Sequence, residues 1–227
     1  MSIRCVAFDL DDTLWDCRPV IEQAEREFYV WLKQNYPRIP DTYTAKELVE
    51  KRVSYMQNYP ELHYNLTRLR KNWLAALASE QGYNDDMVEP GFDVFWQARN
   101  AVTFFEGTLE ILQTLSNKFI MGVISNGNAS VDHIGVGHLF QFVHSAAEAG
   151  VAKPHPAIFQ QALAKVGIDP SEAVYVGDDP VRDVQGAAKA GWRTVWFNPR
   201  GLAWPGGLPP DAVVTHLNEL EATLASL

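Results

Sequence analysis

Cys5-Val6-Ala7-Phe8-Asp9-Leu10-Asp11-Asp12-Thr13 carries the reading that decides the fold: four apolar residues without polar alternation, then an abrupt acidic cluster. An apolar run of that length and kind marks a strand buried on both faces, as in a parallel sheet. Runs of the same character recur at 119–124, 173–176, 194–197 and 212–214. Helical patterns separate the later ones: 108–115 after Gly107, 157–166 closed by Gly167, and 181–190 closed by Gly191. Strand and helix alternate, so the core is α/β. Residues 16–104 break the alternation, with no convincing strand but amphipathic stretches at 21–34, 45–55 and 62–79, punctuated by Pro37, Pro40, Pro60 and Pro90. The expected architecture is a three-layer, Rossmann-like parallel-sheet core built from 1–15 and 105–227, with 16–104 inserted as a helical domain.

Composition narrows the class of function. The chain has 227 residues, 47% apolar and 21% charged, which suits a soluble globular domain plus an insertion. Its 19 Lys and Arg against 28 Asp and Glu leave a net charge of −9, which repels phosphate backbones and anionic lipid. Nucleic acid polymers and membranes are therefore not expected partners. The segment from Met1 to Phe8 lacks a secretory apolar region, and no run approaches the roughly 20 apolar residues of a membrane helix. Cys5 and Cys17 have no zinc-type spacing, so a reducing, cytoplasmic setting is expected. Nothing in the pattern sets an oligomeric state.

Polar clusters directly follow three of the apolar runs: Asp9 to Thr13, Ser125-Asn126-Gly127-Asn128, and Gly177-Asp178-Asp179. In a parallel sheet all three lie at the carboxyl edge, where ligand crevices form. Lys153-Pro154, before the 157–166 pattern, is placed to reach the same edge. Asp9, Asp11, Asp178 and Asp183 gathered beside one Lys153 cannot all stay ionised without further positive charge. A cation is expected, and ligation by oxygen alone favours Mg²⁺ over zinc. Asp12 and Asp179 point the other way by strand alternation and read as structural or solvent-facing.

These residues resemble the haloacid dehalogenase superfamily. Val6 to Leu14 is similar to its first motif, Ile124-Ser125-Asn126-Gly127 to its second, Ala152-Lys153-Pro154-His155-Pro156 to its third, and Gly177 to Asp183 to its fourth, in order and across nearly the whole core. The resemblance implies that Asp9 attacks phosphorus to form an aspartyl-phosphate, while Asp11 protonates the leaving oxygen and then activates water. It implies Ser125, the Asn126 backbone N–H and Lys153 as phosphate contacts. Mg²⁺ would sit on the Asp9 carboxylate, the Asp11 carbonyl and Asp178, with Asp183 behind them and Thr13 fixing the turn that aims Asp11. The superfamily's dehalogenases lack a carboxylate at the position of Asp11, so the implied chemistry is that of a phosphatase.

The insertion matches the superfamily's helical cap. Asp16 to Ile21, Thr67-Arg68-Leu69-Arg70 and Ser125 to Ala129 are similar to bacterial flavin mononucleotide phosphatases, which also act on the phosphoribitylaminouracil intermediate of riboflavin metabolism. A small phosphorylated metabolite is the implied partner. Sugar phosphates, phosphoglycolate and nucleotides stay open as substrates, and sugar phosphomutase or non-catalytic phosphate binding as other functions. Trp15 and Arg68 are the candidates for touching the leaving group, although Arg68 and Arg70 also read as a solvated face and Trp15 equally as packing. The aromatics of the insertion, Phe28, Trp31 and Trp73 among them, read as core.

Overall fold

In the computed structural model, which describes Ser2–Leu227, every apolar run named above becomes a strand. Met1, the first residue of the expected core, lies outside the described residues. The strands are β1 (Cys5–Phe8), β2 (Ile120–Ser125), β3 (Phe142–Ser145), β4 (Ala173–Gly177), β5 (Arg193–Phe197) and β6 (Ala212–Val214). They form one parallel sheet in the order β3-β2-β1-β4-β5-β6, flanked by helices as an α/β, Rossmann-like core. β1 and β4 are buried along their whole length, which is why they carry no polar alternation. β1 lies between β2 and β4, and the strand order reverses direction around it, so the carboxyl ends of these three strands flank one switch point.

β3 was not among the expected strands. It is an edge strand of four residues, Phe-Val-His-Ser, whose burial alternates and whose Val143 is exposed, so it shows no continuous apolar run. The expected helix at 181–190 is present but begins as a π-helical segment, Pro180–Gln185, before Gly186–Lys189. Asp179 caps it, its Oδ1 accepting from the N–H groups of Val181 and Arg182 at 2.8 Å.

The chain divides into two compact units, one taking in residues up to Asp16 together with Thr103–Leu227, the other Cys17–Val102. The second is helical: Cys17–Asn35, Arg38–Thr42, Ala45–Gln57, Leu66–Glu80 and Val88–Arg99, with short turns between. Thr44 and Glu47 form a capping box at the start of the third helix. Pro90 is tolerated in the first turn of Val88–Arg99, where its missing N–H would have no intrahelical partner. Phe28, Leu32, Trp73, Leu74, Leu77, Phe92 and Phe95 make the unit's own core, with Trp31 packed against it. Arg70 departs from the reading as a solvated face. It is 5% exposed, makes a two-pronged pair with Glu25 at 2.9 and 3.1 Å, and stacks its guanidinium on Phe95. No helix among the described residues is long and apolar enough to cross a membrane.

Candidate active site

β1 continues past Phe8, the Asp9 N–H donating to the Val176 carbonyl at 2.9 Å, so Asp9 sits directly at the carboxyl end of the sheet beside β4. The chain then turns tightly: the N–H groups of Thr13 and Leu14 both donate to the Leu10 carbonyl, and Asp12 takes a left-handed conformation, φ 60°. Asp12 is exposed and Asp179 spends its side chain on a helix cap, yet the negative charge of both adds to the repulsion on Asp178. Thr13 is fully buried inside the turn, and its hydroxyl makes a long contact of 3.5 Å with Asp178.

Lys153 is the hub. Its ammonium, 2% exposed, lies 2.8 Å from Asp9 Oδ1 and 2.7 Å from Asp183 Oδ1, and donates a third bond to the Tyr175 hydroxyl at 2.9 Å. Three donors meet three acceptors, so its buried charge is fully satisfied. Burial alone would discourage the ammonium, yet Asp183 and Asp9 raise its pKa overall. Tyr175 donates its own proton to the Ile124 carbonyl at 2.6 Å, which fixes its oxygen as an acceptor toward Lys153. Asn126 holds the same loop, its amide accepting from the Lys153 N–H at 2.8 Å and donating to the Lys153 carbonyl at 3.0 Å. Ser125, 5% exposed at the end of β2, accepts from the Gly127 N–H at 3.0 Å.

Asp9, Asp178 and Asp183 each offer an oxygen within 4.8 Å of the others. Burial pushes the Asp9 carboxyl up to about 7 against the pull of Lys153. Burial, with Asp183 and Asp9 adding repulsion, pushes Asp178 up to about 8. Both Asp183 oxygens are engaged, one by Lys153 and the other by the Asp179 N–H at 2.9 Å, so this residue braces the cluster. Gly177 leaves room for it, since a Cβ there would stand 2.4 Å from Asp183 Oδ2. Three carboxylates facing one ammonium, all with oxygen donors, fit a hard divalent cation such as Mg²⁺.

The match to known proteins decides the family. The family model "Hydrolase: haloacid dehalogenase-like hydrolase" matches residues 3–191. The chain belongs to the haloacid dehalogenase-like hydrolases. Among these hydrolases it is 29% identical to "5-amino-6-(5-phospho-D-ribitylamino)uracil phosphatase YigB" of Escherichia coli (strain K12), over 98% of this chain and 96% of that protein. It is 30% identical to a glyceraldehyde 3-phosphate phosphatase of Pyrococcus abyssi, over 86% of this chain and 81% of the other. A solved structure described as 2-haloacid dehalogenase from Pseudomonas syringae pv. Tomato DC3000 superposes with a TM-score of 0.92 and 37% identity, covering 99% of each chain.

Two candidates for touching a leaving group stand differently from the expectation. Trp15 is 0% exposed, packs edge-on against Phe104 and donates its indole N–H to Asp11 Oδ1 at 2.9 Å, so its polar atom serves the site's own carboxylate. Arg68 is exposed on the helical unit, with its backbone N–H capped by Asn65. Tyr175 and the Asn126 side chain were not legible in sequence: Tyr175 looks like one more apolar strand residue, and only the fold brings it to Lys153.

Proposed function

We propose that this hydrolase is a Mg²⁺-dependent phosphatase of small phosphomonoesters that works through an aspartyl-phosphate on Asp9. The observation that carries the reading is the pair Asp9 and Asp11: one carboxylate held 2.8 Å from a buried ammonium, and a second two residues on, held by a buried indole. Asp9 attacks phosphorus, the bond to the leaving oxygen breaks, and that oxygen takes a proton from Asp11. Water then gives a proton to Asp11 and attacks phosphorus, breaking the bond to Asp9 and releasing phosphate. Lys153 offsets charge on Asp9 and on the phosphoryl oxygens, while Ser125 and the Asn126 backbone N–H bind those oxygens. Asp9, Asp178 and the Asp11 carbonyl would hold the cation, with Asp183 behind them. When bound, Mg²⁺ supplies positive charge opposite the transferring group.

Within that class, flavin mononucleotide and the phosphoribitylaminouracil intermediate are the favoured substrates, supported by the full-length similarity to the uracil phosphatase. A second reading, hydrolysis of 2-haloacids, is favoured by the structural likeness to a protein of that description. Asp11 speaks against it, because a halide leaves without a proton and needs no acid there. The test is phosphate release from flavin mononucleotide, p-nitrophenyl phosphate, sugar phosphates and nucleotides at equal concentration, with and without Mg²⁺, beside halide release from 2-chloropropionate. Asp9→Asn serves as the blank. Preference for the flavin supports the substrate assignment, even turnover across the panel leaves the phosphatase without it, and halide release without phosphate release overturns both.

A further inference from the structure

We infer that Trp15 is a positioning residue for acid–base catalysis, aiming the Asp11 carboxyl through its indole N–H; this rests on the phosphatase reading above. The indole nitrogen carries a proton and no usable lone pair, so it can donate but never accept. Its bond to Asp11 Oδ1 is 2.9 Å, within the ordinary range, so the carboxyl is held by a donor that cannot exchange roles with it.

Two features make the indole a fixed reference. Trp15 is completely buried, and its ring meets Phe104 edge-on with centroids 5.7 Å apart. Its backbone is tied as well: the Trp15 carbonyl accepts from the Asp12 N–H at 2.8 Å, and Trp15 bridges to both Asp11 and Phe104. The turn that presents Asp11 is thus closed on Trp15 by main chain and side chain together. A residue that only filled space would not need a nitrogen at this place, and a buried indole N–H left without an acceptor costs stability. Asp11 is the acceptor, so the same bond that satisfies the core sets the direction of proton transfer.

The experiment exploits the leaving group. An alkyl phosphate expels a strongly basic oxygen and depends on the acid, whereas p-nitrophenyl phosphate expels a weakly basic one and does not. In Trp15→Phe, which keeps an aromatic ring and removes the N–H, kcat/KM for an alkyl phosphate is expected to fall about 10- to 100-fold, part of what general acid catalysis supplies. For p-nitrophenyl phosphate it should change by no more than about threefold. The ratio of the two is independent of how much enzyme is folded, so partial unfolding cannot imitate the result. Trp15→His, whose imidazole carries a nitrogen as far from the backbone as the indole's, should recover part of the alkyl phosphate rate. In an Asp11→Asn background, Trp15→Phe should add no further loss. Equal losses on both esters, or an undiminished loss when Asp11 is already replaced, would overturn the inference and leave the phosphatase reading intact. Absence of Asp9-dependent hydrolysis in the wild type would overturn that reading and this inference with it.

Discussion

Replacing Lys153 with Met tests the electrostatic core of the site in the metal-free protein. The substitution keeps an unbranched stem of similar volume and removes the ammonium that lies 2.8 and 2.7 Å from Asp9 and Asp183, in a place only 2% exposed. Removing one partner of a buried ion pair typically costs about 3–5 kcal/mol, because the other charge is left unpaired. For a chain of this length that corresponds to a fall in Tm of about 6–20 °C. The loss should grow with pH. Asp9 and Asp178 have folded pKa values raised to about 7 and about 8 from an ordinary value of 3.8. Carboxyls of this kind bind more protons folded than unfolded, so stability is highest below about pH 4 and declines as pH rises through 7 to 8. Lys153 lowers the Asp9 value, so without it the decline continues to higher pH. Urea melts in EDTA, followed by circular dichroism at pH 5, 6.5 and 8, should therefore show a larger deficit for Lys153→Met at pH 8 than at pH 5. A deficit below about 1 kcal/mol, or one that does not vary with pH, would refute the reasoning.

Three further outcomes are expected. Mg²⁺ should raise the Tm of the wild type more at pH 8 than at pH 5, because the cation competes with protons for Asp9 and Asp178; a thermal shift series across that range checks it. Gly177→Ala places a Cβ 2.4 Å from Asp183 Oδ2, so its midpoint for Mg²⁺ activation should rise about 10-fold or more, as when groups behind metal ligands are lost, measured by titration of phosphate release. Glu25→Gln leaves the buried Arg70 guanidinium and the neighbouring Arg52 without their carboxylate, and should destabilise the helical unit by about 3–5 kcal/mol in urea melts.

How much was legible depends on how local each signal is. β1 announces itself because Cys5 to Phe8 are all buried, and the acidic turn after it follows at once in sequence. The three polar clusters and Lys153-Pro154 come from positions as far apart as 9 and 183, yet the expectation that they meet at the carboxyl edge of a parallel sheet puts Asp9, Lys153, Asp178 and Asp183 together, as the distances do. β3 escaped because an edge strand with one exposed face lacks the continuous apolar run used to find the others. Arg70 escaped because its partner, Glu25, lies 45 residues away on another helix, and nothing local distinguishes a buried arginine from a solvated one. Tyr175 escaped for a similar reason: its hydroxyl matters only once the sheet places β4 and β2 on either side of β1 and the Lys153 loop is in place. Trp15 was visible as a candidate, but periodicity cannot say whether an aromatic beside an acidic turn faces a substrate or, as here, the turn's own carboxylate.

The proposed covalent step on Asp9 is tested most directly by rapid acid quench of the enzyme with a ³²P-labelled phosphomonoester and Mg²⁺, followed by digestion and identification of the labelled peptide. A transient burst of label on the peptide containing Asp9, absent from Asp9→Asn, is the expected result. Steady phosphate release with no labelled protein at any time, or wild-type turnover in Asp9→Asn, would contradict it.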